Sequence, residues 1–342
     1  MADSPEVAGG GPLGLQGCLT AMLAELGRRV GFAEGVVMSF DPDVLLPNAF
    51  ATTSEWSLGD ALAACRNEQL DRDFLKFRDL ARSAVAVGVA SRESDPRTRS
   101  SPRWQQILDV RGHGHELRAA LVDGAGQCWG AVNVQRELGR PFTDREIGLV
   151  ASRTERYAAA VAQSMINGRV PSTQAEPGAV WLDEGGRVVF ASPAAQRWLD
   201  LIDAGRTAAF SRTLLGGLAI RAAAGQRANA AVKMRTRTVG GQWVRLSGEP
   251  VAFPDGAPRG VSVVIDGARA GDVLPVAASV FQFSRRELDV VRGVLNGLDT
   301  RSLAAELHIS EYTVQDHLKS VFAKAGVGSR RELAHLLAIQ FG

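Results

Sequence analysis

The chain has 342 residues, 45% of them hydrophobic and 22% charged, an ordinary globular composition that is long for one domain, so two or three domains are expected. Thirty-nine Lys and Arg against 37 Asp and Glu leave a net charge of +2, which excludes a charge-driven role for the chain as a whole and makes any nucleic-acid or membrane-surface function a local one. No apolar run approaches the roughly 18 residues that cross a bilayer, the N-terminus has no signal-like pattern, and Cys18, Cys65 and Cys128 lack C-x-x-C spacing; a cytoplasmic protein with reduced thiols and no membrane partner is expected.

Residues 1–12, rich in Gly, Pro and Ala, predict a disordered start. Leu15, Leu19, Met22, Leu23, Leu26 and Val30 recur at helical spacing, and GVVMSF (35–40) predicts a strand closed by Asp41-Pro42. Helical segments are expected near Leu58 to Ala81, with Phe74, Phe77 and Leu80 on one side, and Ser101-Pro102 opens a short helix through RWQQILD (103–109). ELRAALVD (116–123) and CWGAVNVQ (128–135) predict a hairpin across a Gly-rich turn; Thr143 and Glu146 then make a capping box for one long helix to about Ile166. Residues 13–166 therefore read as an α+β domain, followed by a polar linker, 167–177.

Beyond it, AVWLD (179–183) and RVVFAS (187–192) predict strands, SPAAQRWLDLI (192–202) and an Ala-rich stretch from Thr213 to Ala224 predict helices, and AAVKMRTRTV (230–239), QWVRLSGEPVA (242–252) and GVSVVID (260–266) predict three more strands. Five strands with helices between the second and third suit a small sensor sheet over 178–266. Residues 267–282 read as a second linker with a short amphipathic piece, and no internal sequence repeat is found.

The last 60 residues, 283–342, predict an all-α domain of four short helices. Ser284 and Glu287 form a capping box for the first and Gly297 stops it; Asp299 or Thr300 caps the second; Ser310 caps the third, which Gly326 ends; Ser329 and Glu332 cap the fourth. Two helices about the turn His308-Ile309 make a helix-turn-helix layout, whose second helix lies in the DNA major groove. In that helix Val314, Leu318, Val321, Phe322 and Ala325 make a core-facing stripe. Tyr312, Gln315, Asp316, Lys319 and Ala323 share the opposite side. Gln can pair with adenine, Asp can accept from the cytosine amino group, and Lys can reach guanine or a phosphate. From the residues alone a small helical bundle with a solvated polar face fits equally well, because eight basic and seven acidic residues from Ser284 to Leu337 leave a local charge of only +1. His317, beside the apolar stripe, reads as a half-buried histidine rather than a DNA contact.

The segment resembles the LuxR-type helix-turn-helix in Ser284, Arg286, Glu287, Gly297, Leu303-Ala304, Ile309-Ser310, Thr313-Val314, His317, Lys324, Gly326-Val327, Ser329-Arg330 and Glu332-Leu333. The resemblance implies that Gln315, Asp316 and Lys319 face the bases and that Ser310, Thr313, Lys324, Arg330 and Arg331 contact phosphate or support helix ends. Asp316, where many members carry a neutral or apolar residue, and Ala325, where Leu is usual, depart from the pattern. Residues 13–166, through ELRAALVD, GQCWGAVNVQ and the helix after RPFTDRE, resemble a GAF domain of the kind found at the N-terminus of large actinobacterial LuxR-type regulators. Residues 178–266 resemble a PAS fold in their opening strand pair and closing strands. Both folds hold a small molecule between sheet and helices, or serve only as dimer surfaces.

The PAS-like stretch has no histidine, so haem on an axial His is disfavoured there; the cofactor is otherwise unknown. His113-Gly-His115 lacks a third ligand at familiar spacing, which argues against a metal, and Cys128 reads as a core residue. Gly9, Gly11 and Gly14 match G-x-G-x-x-G without a preceding strand, and no catalytic Ser/His/Asp or Cys/His motif is found, so no catalytic residue and no enzyme activity are expected. The expected protein is a homodimeric, double-stranded-DNA-binding transcription regulator whose sensory domains bind a small molecule or partner, with RNA polymerase a further partner. The alternatives are a constitutive dimeric regulator with ligand-free sensory folds and an enzyme with an accessory helical domain.

Overall fold

The computed structural model describes residues 14–166, 176–206, 210–225, 231–252 and 258–341. The N-terminal stretch 1–12 and residues 167–175 of the first expected linker lie outside them. The chain is multidomain, with a sheet-rich N-terminal region and a helical C-terminal domain.

The first unit runs α1 (Leu15–Arg29), β1 (Glu34–Asp41), β2 (Leu46–Thr52), α2 (Leu58–Gln69), α3 (Phe77–Leu80), β3 (Val87–Ser91), a 3-10 turn (Pro96–Arg99), a π-helical turn (Trp104–Leu108), β4 (His115–Val122), β5 (Cys128–Arg136), α4 (Asp144–Ala151) and α5 (Thr154–Ile166). Its antiparallel sheet has the order β2-β1-β5-β4-β3. Side chains alternate across a strand, so this sheet has two faces of opposite character. Val37, Leu117, Ala119, Leu121, Val132 and Val134 are buried against α1 and α5. The other face carries Glu116, Arg118, Asn133 and Gln135, polar and also buried, beneath α2, α3 and the π-helical turn.

Two expectations for this unit are corrected, and two strands are added to it. The helical region Leu58 to Ala81 is two helices, α2 and α3, with 70–76 between them. The helix expected after Ser101-Pro102 is a π-helical turn, and the long helix after Thr143 breaks at Ser152-Arg153 into α4 and α5, although its capping box is present at Thr143 and Glu146. Strands β2 and β3 were not expected; both are sheet edges, where Pro47 leaves no ladder donor missing and a short run containing Gly88 suffices.

The second unit comprises β6 (Gly178–Leu182), β7 (Val188–Ala191), α6 (Pro193–Asp203), α7 (Phe210–Ala224), β8 (Val232–Arg237), β9 (Trp243–Ala252) and β10 (Pro258–Gly267), with sheet order β7-β6-β10-β9-β8. Numbered within each unit, both sheets run 2-1-5-4-3, and both insert helices between the second and third strands. The repeat is one of topology without a repeat of sequence. Helix α7 buries Phe210, Leu214, Leu215, Leu218 and Ile220 on all sides because it lies between β9 and β10 of its own unit and α2 and β2 of the first. Its Gly216 and Gly217 face Leu62 and Cys65 of α2; a side chain at Gly216 would collide with Leu62 and with the Gly186 backbone.

A buried ion pair also joins the units. From β8, Arg235 reaches Asp41 with Nε and Nη2, each at 2.8 Å, and Asp43 at 2.5 Å, while its Nη1 donates to the Asp272 carbonyl at 2.9 Å. Asp272 belongs to α8 (Ala270–Val280), which lies within the stretch read as the second linker and packs its buried Val273, Leu274, Val276 and Ala277 between α5 and the C-terminal helices. That domain is α9 (Arg285–Leu295), α10 (Thr300–Leu307), α11 (Glu311–Ala325) and α12 (Arg330–Phe341), four helices as the sequence predicts.

Candidate functional site

The C-terminal helices are closed by side chains at the expected positions. Ser284 Oγ accepts from the Glu287 amide while the Glu287 carboxylate accepts from the Ser284 amide at 2.6 Å; Asp299 caps α10 through the Ser302 amide; Ser310 caps α11 through the Thr313 amide at 3.1 Å; and Gly326 ends α11 in the left-handed region. His308, at φ 54°, makes the left-handed turn out of α10 that sets α11 across it.

Helix α11 buries Val314, Leu318 and Val321 and exposes Tyr312, Gln315, Asp316 and Lys319. Tyr312 is 75% exposed, an aromatic ring left in water at the start of the helix. Gln315 Nε2 donates to Thr300 Oγ1 at 3.2 Å, and Asp316 faces Lys319 at 3.6 Å, a solvent-exposed pair that holds neither side chain firmly. His317 is half-buried, as expected. This face therefore presents an amide, a carboxylate, an ammonium and a phenol together.

The residues expected to support this face differ among themselves. Ser310 and Thr313 share a hydroxyl hydrogen bond of 2.8 Å at the start of α11. Arg330 donates to the Leu298 carbonyl and to Thr300 Oγ1, both at 2.8 Å, tying α12 to the entry of α10. Lys324 donates to Glu287 at 2.7 Å and to the Gln282 carbonyl at 3.0 Å. Arg331 is exposed. Burial opposes ionisation of Glu287, but hydrogen bonds from Lys324, Ser320 and Ser284 outweigh it and bring its carboxyl down to about 2. The charge at Lys324 thus closes α9 against α11.

A second feature lies in the first unit, a cavity of about 770 Å³ between its polar sheet face, α2, α3 and α7. Val36, Met38, Phe40, Phe50 and Trp56 form apolar walls; Glu116, Arg118, Asn133 and Gln135 lie at its floor. The sequence alone does not mark this floor as a site. Alternating polar residues in β4 and β5 have the pattern of a sheet with one solvated face, and here α2 and the π-helical turn cover that face and bury them.

His113 and His115 diverge. Nε2 of His113 lies 2.6 Å from Glu34, whereas His115 is nearest Glu93, at 3.7 Å. Burial opposes ionisation of Glu34, yet His113, Arg111 and Ser54 together hold its carboxyl well below the usual range. Among the described residues no group of three or more His, Cys, Asp or Glu is placed to hold a metal. Burial pushes the Cys65 thiol up to about 12 and that of Cys128 to about 11, which removes thiolate chemistry from the cavity wall and the sheet.

Residues 282–337 match the family model for bacterial regulatory proteins, luxR family. The C-terminal segment is therefore a LuxR-type helix-turn-helix domain. An uncharacterized transcriptional regulatory protein of Bacillus subtilis is 37% identical over 67 residues, 20% of this chain and 31% of its own length. A relative from Aeromonas salmonicida is 44% identical over 55 residues, 16% of this chain and 28% of its own. The chain thus spans about a third of the length of the curated relatives it matches. Among solved structures, SdiA of Escherichia coli is 12% identical and covers 95% of this chain and 90% of its own at a TM-score of 0.33.

Proposed function

We propose that the chain is a cytoplasmic, dimeric, DNA-binding transcription regulator, with α11 as its reading helix and the two upstream units as GAF-like and PAS-like sensors. The observation that carries this is the two-sided α11 within the luxR-matching segment: its apolar stripe is buried under α9 and α10 while Tyr312, Gln315, Asp316 and Lys319 are exposed on one face. Gln315 and Asp316 would read base edges, Lys319 a guanine or phosphate, and Ser310, Thr313 and Arg331 the phosphate backbone. Lys324 and Arg330 brace helix ends. Two copies would place two reading helices on adjacent half-sites.

The cavity supports a sensor over a constitutive scaffold, since a concave, mostly apolar space of this size with a few polar groups at its floor is the form that small-molecule sites take. A ligand bound there touches α2 and α7 at once, and the path from α7 through β8 and Arg235 to α8 ends on α9 and α12. Binding that favours one arrangement of these elements would shift the population of DNA-competent dimers.

Fluorescence anisotropy of labelled mixed-sequence duplex DNA tests the DNA-binding reading. The full chain should bind with strong salt dependence, and Lys319→Ala should weaken binding and lower the salt slope by about one ion. Absence of duplex binding at low salt would overturn it.

A further inference from the structure

We propose that the first unit's cavity binds a neutral, amphipathic small molecule whose polar end presents a donor and an acceptor side by side, as a primary amide, lactam or imide does. This rests on the sensory reading above and names the ligand class that reading leaves open.

The floor is built by register. Glu116 on β4 stands directly opposite Gln135 on β5, and Arg118 opposite Asn133, so the four side chains share one face. All are buried, Glu116 at 0% exposure, Gln135 at 1%, Arg118 at 2% and Asn133 at 8%. Their hydrogen bonding is incomplete. Both side-chain polar atoms of Gln135, Oδ1 of Asn133, Oε1 of Glu116 and Nε of Arg118 have no hydrogen-bond partner, although Glu116 Oε1 lies 3.8 Å from Arg118 Nη1. Buried polar groups are almost always satisfied, and those that are not are costly to keep. Four side chains carrying such atoms on one cavity floor mark the place where a ligand supplies the missing partners.

The charges say what kind of ligand. Arg118 pairs with Glu68 of α2, and Arg103 donates to Glu116 at 3.1 Å and lies 3.6 Å from Asp73; Lys76, also buried, donates to the carbonyls of Glu68 and Asp71. Arg103 and Arg118 thus meet the three carboxylates Glu68, Asp73 and Glu116, while Lys76 is held by backbone carbonyls. A carboxylate or phosphate reaching the floor would have to displace Glu68 from Arg118 or Glu116 from Arg103, and a cation there would meet Arg118. What stays unpaid by these pairs is hydrogen bonding, and the Gln135 amide offers a donor and an acceptor whichever way it is turned. Val36, Met38 and Phe50 supply the apolar wall for the rest of the molecule. Thr213 and Arg221 of α7 line the same cavity, so the second unit contributes to the site.

The test uses 4-phenylbutanamide, 4-phenylbutanoate and N,N-dimethyl-4-phenylbutanamide against the full-length chain by isothermal titration and ligand-observed NMR. The primary amide should bind at least about tenfold more tightly than the other two, because a site built to hydrogen-bond both groups rejects an analogue lacking one. Gln135→Met, which replaces an unsatisfied buried amide by an apolar chain of similar length, should reduce that preference to within about twofold and leave the thermal midpoint unchanged or raised. Equal or tighter binding of the carboxylate, or an amide preference that survives Gln135→Met, would overturn the ligand class alone. Failure of all three compounds to bind in a pocket that is also silent to bacterial small-molecule extract would overturn both the class and the sensory reading. If Gln135→Met does not fold, Asn133→Leu serves in its place.

Discussion

Lys324 is expected to contact phosphate or to support a helix end, and its geometry favours the second role. Its ammonium sits 2.7 Å from Glu287, whose side chain is only 6% exposed, while the lysine itself is 36% exposed. Removing one partner of a fully buried pair costs about 3–5 kcal/mol, and an exposed pair contributes less than about 1 kcal/mol. An intermediate position gives a loss of about 2 kcal/mol for Lys324→Ala, expressed where α9 meets α11. Glu287→Gln in the same background should recover part of it, since the stranded carboxylate is then gone, giving a coupling of about 1 kcal/mol in a double-mutant cycle. Amide exchange in urea reads the stability of α9 and α11 within the full chain. The salt slope on mixed-sequence duplex should stay at the parent value, whereas a lost phosphate contact would lower it by about 0.9. A reduced slope with undiminished protection of α9 and α11 would refute the bracing role.

Three further outcomes follow from the same contacts. Because the folded Glu287 carboxyl is brought down to about 2, its stabilisation is complete above its ordinary value near 4.5 and is lost as pH falls through about 2; amide protection of α9 and α11 should decline across that window in the parent and stay flat in Glu287→Gln. Arg235→Met strands the buried Asp41 at the junction of the two units and should loosen α8, costing about 3 kcal/mol or more, as limited proteolysis and exchange at 270–280 would show; unchanged exchange there would remove Arg235 from the path to α9 and α12. Sedimentation should give a dimer on duplex DNA carrying two half-sites, and a monomer both free and bound would contradict the proposed assembly.

The elements fixed by local chemistry were legible in the sequence. The capping boxes at Thr143 and Ser284, the stop at Gly326 and the stripe of Val314, Leu318 and Val321 depend on residues three or four apart, and each is found where the spacing puts it. What depends on distant partners was not. Strand β2, with Pro47 and Asn48, has weak strand propensity and exists because β1 pairs with it as an edge. Helix α7 is apolar on nearly every side, a signal for burial between two layers that reads in isolation only as an Ala-rich helix. The cavity floor is the sharpest case. Glu116, Arg118, Asn133 and Gln135 follow the alternation of a half-exposed sheet, and nothing near them in sequence says that α2 and the 104–108 turn cover that face. Likewise, Lys324 and Arg330 carry charges that suit phosphate, and only the fold shows Glu287, Leu298 and Thr300 already holding them.

The proposed reading of DNA sequence by the exposed face of α11 is tested most directly by selection from a random duplex library with the purified full-length chain. The parent should enrich one motif, and Asp316→Ala, which removes a carboxylate from beside the phosphates, should bind scrambled DNA more tightly while losing preference at one position, roughly 1–3 kcal/mol of discrimination. Failure of the parent to enrich any sequence, or the same motif with the same discrimination from Gln315→Ala, Asp316→Ala and Lys319→Ala, would show that this face is not the reader.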